Sequence, residues 1–300
     1  MEAKGIYLLL FYLMVSMLLS EKITYSETKY KRILEEFFRR IFNVSFLDSH
    51  GIDHHRRVWQ YAKEILDQLA NHGIEIDQAL VNKLIISCFL HDSGMAVDPG
   101  LRHGTEGRKI CERFLSENNL YTDEFSDVLF AIEDHDNKDY TEINKPGELL
   151  IVLSVADDLD AFGFIGIYRY LEIYIMRNKQ MNELGDLIIE NSENRFQHFL
   201  RTYGFYSALV GKHAKRYDII NSFFNSYNEQ ASFYKFDNQL VAGYCGVAEV
   251  IMQMLKRNKS FSDINSLAHD YPDPVIQWFF AELNNELSEF RKCCDYTILK

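Results

Sequence analysis

Residues 84–94 read Leu84-Ile85-Ile86-Ser87-Cys88-Phe89-Leu90-His91-Asp92-Ser93-Gly94. Up to Leu90 the run is apolar on nearly every face of a helical wheel, which predicts a helix surrounded by other elements and not one lying on a surface. Asp77 is placed to cap it, giving a helix over Ala79 to His91. That buried helix ends on an imidazole and a carboxylate. An ionised Asp taken out of water is strongly unfavourable unless a cation or hydrogen-bond donors compensate it. The His91-Asp92 doublet is therefore more than a surface pair.

Outward from this stretch the pattern stays helical. Ser26 is expected to cap a helix through Arg32-Ile33-Leu34-Glu35-Glu36-Phe37-Phe38 to about Phe42, and Asp53 the next, with Val58, Tyr61, Ala62, Ile65, Leu66 and Leu69 on one stripe and Gly73 just past its end. Further helices are predicted over Thr105 to Glu117, Asp123 to His135, Glu148 to Leu159 and Ile165 to Arg177, then near 183–209, 213–232, 238–256 and 273–292. No set of alternating strands and no fixed repeat is present. The fold class is all-α: a helical bundle core with an additional helical C-terminal region. A composition dip at Asn178 to Gly185 divides a core, residues 26–180, from a C-terminal part, residues 181–300, in which ligand-type residues do not cluster.

The chain has 300 residues, 47% of them apolar and only 4 Pro, enough for a substantial core without disulfide or metal staples. Its 44 acidic and 32 basic residues give a net charge of −12, which disfavours sequence-general binding to long nucleic acid. Five cysteines with no C-x-x-C spacing read as buried thiols of a reducing compartment. Ile6 to Leu19 is apolar but for Ser16. That run is shorter than the ~20 residues of a spanning helix, and it lacks the charge and cleavage pattern of a signal peptide. A short membrane contact through residues 5–20 and an apolar helix packed on the body are the two leading readings of residues 1–25, with a cleaved signal third. Both leading readings leave the body cytoplasmic.

Other imidazoles and carboxylates fall at helix ends like His91-Asp92: His54, His103, His135, and Asp157 after Leu149-Leu150-Ile151-Val152-Leu153-Ser154-Val155-Ala156. Nitrogen and oxygen donors without sulfur suit a divalent metal (Mn, Fe, Ni, Co, Zn or Mg) and catalysis rather than a closed structural site. Periodicity does not separate Asp157 from Asp158 and Asp160. His55 reads as facing away from His54, and His72 as exposed.

The order His54 … His91-Asp92 … Asp157 resembles the HD-domain superfamily of metal-dependent phosphohydrolases. His54-x-x-Arg57-Val58 with Ala62 resembles the first family motif and Leu90-His91-Asp92-x-Gly94 the second. Ala156-Asp157-Asp158-Leu159-Asp160-Ala161-Phe162-Gly163-Phe164-Ile165-Gly166-Ile167-Tyr168-Arg169 is similar to a segment of small bacterial HD-type nucleotide hydrolases, and this alignment selects Asp157. The resemblance covers residues 50–180. It implies one metal held by His54, His91, Asp92 and Asp157, and a second held by His103 and His135 with Asp92 shared. Catalytic candidates are Asp92, Asp160 in orienting water or holding Asp157, and Arg57 and Arg169, cations near ligands in sequence that a chain of net charge −12 would need toward a phosphate. Arg102, Arg108 and Lys138 are further cations near ligands in sequence, and Glu106 is a candidate partner for His103. Asp158 and Met95 depart from the family pattern, Asp158 standing where an Arg is common. The function implied is hydrolysis of a phosphate ester or anhydride of a nucleotide or similar small phosphorylated substrate by metal-activated water. The alternatives are a di-iron oxygenase acting on a small molecule and a non-catalytic ligand-sensing module.

Overall fold

The computed structural model describes residues 18–42, 48–98, 100, 102–137, 145–236, 241–257 and 270–295. These residues contain no strand. Residues 18–26 are helical and lead through a π-helical turn, Glu27–Lys31, into α1, Arg32–Ile41. There follow α2, Ile52–Asn71; α3, Gln78–Leu90; α4, His103–Glu117; α5, Ser126–Asp134; α6, Leu149–Asp160; and α7, Gly163–Met176. The remaining helices are α8, Leu184–Tyr203; α9, Ser207–Ala231; α10, Gly243–Lys256; and α11, Pro274–Asp295. Most of the apolar run Ile6 to Leu19 lies outside the described residues, as do Lys138 and the side chains of Cys293 and Cys294. Among the described residues no helix is long and apolar enough to cross a membrane.

Several starts differ from the sequence reading: α9 begins at Ser207 and not near 213, α10 at Gly243 and not near 238, and α5 at Ser126 and not Asp123. Two expected caps differ as well. Ser26 is no cap: its φ of −65° and ψ of −41° keep it within a continuous helix, where its hydroxyl has two acceptors in reach for its one hydrogen, Asn82 Oδ1 at 2.7 Å and Lys22 O at 3.0 Å. Helix α2 begins at Ile52, so Asp53 lies inside its first turn and pairs with Arg56 at 3.0 Å. Asp77 does cap α3, accepting from the Leu80 N–H at 2.7 Å.

The chain forms two compact units. The first comprises residues 1–45, 52–157 and 202–209, the second 46–51, 158–201 and 210–300. The division therefore falls inside α6, not at 178–185, and α7 belongs with the C-terminal helices. In the first unit α3 is the central element. Val81, Leu84, Ile85, Ile86, Cys88, Phe89 and Leu90 are all fully buried, packed by α1, α2 and α5. Cys88 and Cys111 are buried free thiols of this core.

Two glycines allow approaches that no other residue would. Gly94, in the 3-10 turn Ser93–Ala96, lies against the first turn of α4, and a Cβ there would fall 1.9 Å from His103 O and 2.5 Å from Gly107 N. In the second unit Gly163 has φ +75°, and the Glu286 carboxylate of α11 occupies the space a side chain would need. Glu286 accepts there from the Ile165 N–H and from Arg216, whose guanidinium also donates to Leu159 O and Phe162 O, both at 2.7 Å.

Because both atoms facing Gly94 are backbone, Gly94→Ala must displace the start of α4. The expected cost is about 1–3 kcal/mol, read as a lower urea midpoint; an unchanged midpoint would contradict this packing.

Candidate metal centre

Helix α3 carries its last hydrogen bond one residue past its end, His91 N–H to Ser87 O at 2.9 Å. Asp92 then leaves helical geometry at φ −94°, ψ 9°, and its carbonyl accepts from the Met95 N–H. The turn through Gly94 brings α4 against this point. Asp98 Oδ1 accepts from the Gly100 N–H at 2.8 Å, and the Gly100 carbonyl in turn accepts from His103 Nδ1 at 2.7 Å. Ser154 of α6 donates to the His135 carbonyl at 3.3 Å, joining the end of α5 to the helix that carries Asp157.

Among the described residues, two groups of buried side chains have ligand atoms all within 4.8 Å of one another: His54, His91, Asp92 and Asp157, and Asp92, His103 and His135. Asp92 belongs to both, one oxygen to each. Its Oδ2 lies 3.3 Å from His54 Nε2 and 3.5 Å from His91 Nε2. Its Oδ1 lies 3.1 Å from His135 Nε2 and 3.9 Å from His103 Nε2. Asp157 Oδ1 completes the first group at 3.6 Å from His54 Nε2 and 3.8 Å from His91 Nε2.

Three of the imidazoles are oriented in one way. His91, His103 and His135 place Nδ1 at 3.0, 2.7 and 2.7 Å from the carbonyl three residues earlier, Cys88, Gly100 and Ile132 respectively. A carbonyl only accepts, so Nδ1 holds the hydrogen and Nε2 is turned to the carboxylates. In the first group His54 Nε2 and His91 Nε2 stand 3.1 Å apart. With the Asp92 and Asp157 carboxylates beside them, these two nitrogens form a donor group that a divalent cation could bridge. The donor set fits such an ion.

Protonation follows the same field. Burial opposes charge on His91 most strongly, outweighs the attraction of Asp92 and Asp157, and lowers its pKa. For Asp92 burial is again the largest influence and acts upward, yet the surrounding imidazoles, His91 first, hold its pKa well below the usual carboxylate range. His135 shows the opposite outcome to His91. Burial opposes its charge, but the hydrogen bond and charge of Asp92 prevail and raise its pKa.

Other residues near these in sequence go elsewhere. Glu106 pairs with Lys109 at 2.8 Å, so the Gly100 carbonyl and not Glu106 orients His103. Arg102 is paired with Asp98, and Arg108 with Glu112 and Glu133. Arg57 is buried on α2, one turn from His54. In the second unit Arg169 pairs with Asp160 at 3.0 Å, both buried, and Asp158 receives Arg195 at 2.6 Å and His198 Nδ1 at 3.3 Å, both from α8. His72 has its Nδ1 2.7 Å from Gln68 O just past the end of α2.

The sequence reading missed two neighbours of the centre. Asp136 places Oδ2 3.7 Å from His103 Nε2 with its side chain 44% exposed, a carboxylate that the run Glu133-Asp134-His135-Asp136 does not single out. His55 is fully buried, with its ring centroid 5.0 Å from that of His91. It faces inward because α2 is covered by α1 as well as α3, which its own stripe does not reveal.

A bundle that turns four imidazoles and two carboxylates inward from five helices or their ends defines a class of helical domain able to hold divalent metal. Residues 51–161 match the HD domain family model. HD domains form a superfamily of metal-dependent phosphohydrolases. A search of curated proteins gave no match. A crystal structure of a Lactobacillus plantarum protein, a structural-genomics target, is similar at 17% identity and a TM-score of 0.46, over 67% of this chain and 96% of that one.

Metal binding in the second group requires His135 Nε2 without its proton, and Asp92 favours the protonated ring. Occupancy of that group should therefore rise with pH as His135 deprotonates, each ion loaded below that pKa releasing a proton. Calorimetric titrations in buffers of different ionisation enthalpy count the protons. Loading that is independent of pH between about 6 and 8, with no proton released, would contradict the assignment.

Proposed function

We propose that the protein is a metal-dependent phosphohydrolase that cleaves a phosphate ester or anhydride of a small phosphorylated substrate, a nucleotide or a similar compound. The observation that carries this reading is the Asp92 carboxylate, which gives one oxygen to His54 and His91 and the other to His103 and His135. His54, His91, Asp92 and Asp157 would hold one ion, and Asp92, His103 and His135 a second. When bound there, a divalent cation supplies a Lewis acid for phosphoryl oxygens and acidifies water near neutral pH.

The chain's own residues do the positioning. Backbone carbonyls hold three imidazoles by Nδ1, so their Nε2 atoms need little reorganisation to act as ligands. Asp136 is the carboxylate that reaches from the second group toward solvent. Asp160 and Arg169 hold each other at the end of α6, three residues beyond Asp157, and we assign them to fixing that turn. Arg57 is assigned to the phosphate end of the substrate. The nucleotide class is supported by the resemblance of Ala156 to Arg169 to small bacterial nucleotide hydrolases. A net charge of −12 supports a small substrate over a nucleic-acid polymer.

The same six donors suit a di-iron centre, and an oxygenase is the second reading. Full-length protein loaded in turn with Mn, Fe, Ni, Co, Zn or Mg should hydrolyse at least one of a panel of nucleoside triphosphates, cyclic dinucleotides and generic phosphate esters. Dioxygen consumption with a mixed-valent iron signal, and no hydrolysis, would favour the oxygenase. Asp92→Ala should lose metal binding and lower kcat/KM by about a thousandfold or more. Full activity in that variant would refute the assignment.

A further inference from the structure

His55 follows His54 in sequence and stands behind the two groups of candidate ligands in space. It is fully buried, and its Nδ1 lies 3.1 Å from the Cys88 carbonyl oxygen, the same atom that accepts from His91 Nδ1 at 3.0 Å. Cys88 is in the last turn of α3, where carbonyls have lost their usual helical partners. A carbonyl oxygen has two lone-pair directions. With one taken by His55, the His91 hydrogen is confined to the other. The His55 ring also packs against both ligands, with centroids 5.1 Å from His54 and 5.0 Å from His91, and Phe38 closes its outer side edge-on at 4.5 Å.

Packing alone does not favour an imidazole at this position. His55 Nε2 is buried with no hydrogen-bond partner among the described residues, and a buried polar atom left unpaired is less stable than an apolar atom in its place. What histidine adds over leucine is a single hydrogen bond, and that bond goes to the carbonyl that orients His91. His55 lies outside both groups of ligand atoms. We propose that His55 is a positioning residue for the metal centre. By sharing the Cys88 carbonyl and bracing two ligand rings, it holds His91 Nε2 toward Asp92 and Asp157.

The inference rests on the metal-binding reading, and the test separates the two. Mn²⁺ affinity is measured by calorimetry on the full-length protein, and the melting temperature on metal-free protein, for wild type, His55→Leu and His55→Asn. The leucine variant should bind Mn²⁺ roughly tenfold or more weakly, with an unchanged or higher metal-free melting temperature. The asparagine amide reaches the Cys88 carbonyl from the place of Nδ1 and should restore most of the affinity. Wild-type affinity in His55→Leu overturns the proposal, as does weakening that tracks a lower melting temperature or that asparagine does not relieve. If His55→Leu does not fold, His55→Asn still decides: near wild-type affinity supports the proposal and a tenfold loss overturns it. Wild-type protein that binds no Mn²⁺ would instead refute the metal centre itself.

Discussion

The Asp92 carboxylate is a buried anion on which several independent elements converge. A charge taken out of water must be compensated, and here His54 and His91 face one oxygen while His103 and His135 face the other. Each partner comes from a different helix or helix end, so the position of one side chain depends on the packing of the whole first unit. The approach of α4 at Gly94, the cap at Asp77 and the apolar girth of α3 all bear on where this carboxylate sits. The raised pKa of His135 is another expression of the same anion, because without a metal ion a proton is the charge nearest to hand.

The convergence of His and Asp side chains was legible where chemistry broke a local pattern. A His-Asp doublet ending an apolar helix conflicts with burial unless it has a purpose, and that conflict is visible in eleven residues. His54, His103, His135 and Asp157 were legible as polar interruptions at helix ends, though the choice of Asp157 over its neighbours came from resemblance and not from periodicity. What the sequence hid depends on contacts between distant segments. His55 reads as facing away from His54 because a single amphipathic stripe does not reveal that α1 covers its other side. The backbone approach at Gly94 and the half-exposed Asp136 belong to the same class. Ser26 failed as a cap because capping residues also occur inside helices, and only its Asn82 and Lys22 partners distinguish the two.

The second unit is where sequence said least. The dip at 178–185 is a loop between helices of one unit, while the division runs through α6, which has no compositional mark. Asp158, the departure from the family pattern, is paired with Arg195 and His198. A carboxylate at 158 thus draws a cation from α8, a pairing 37 residues apart that no local pattern encodes. The net charge of −12 has a more local meaning in this light, since Asp92, Asp157, Asp158 and Asp160 are all buried among partners and contribute little as free surface charge.

The most direct test is an anomalous difference map at the manganese edge, from crystals of the full-length protein grown with Mn²⁺. The account predicts a peak enclosed by His54, His91, Asp92 and Asp157, and at higher pH a second enclosed by Asp92, His103 and His135. Ordered Mn²⁺ elsewhere, with the Asp92 carboxylate bound only to protein donors, would contradict it.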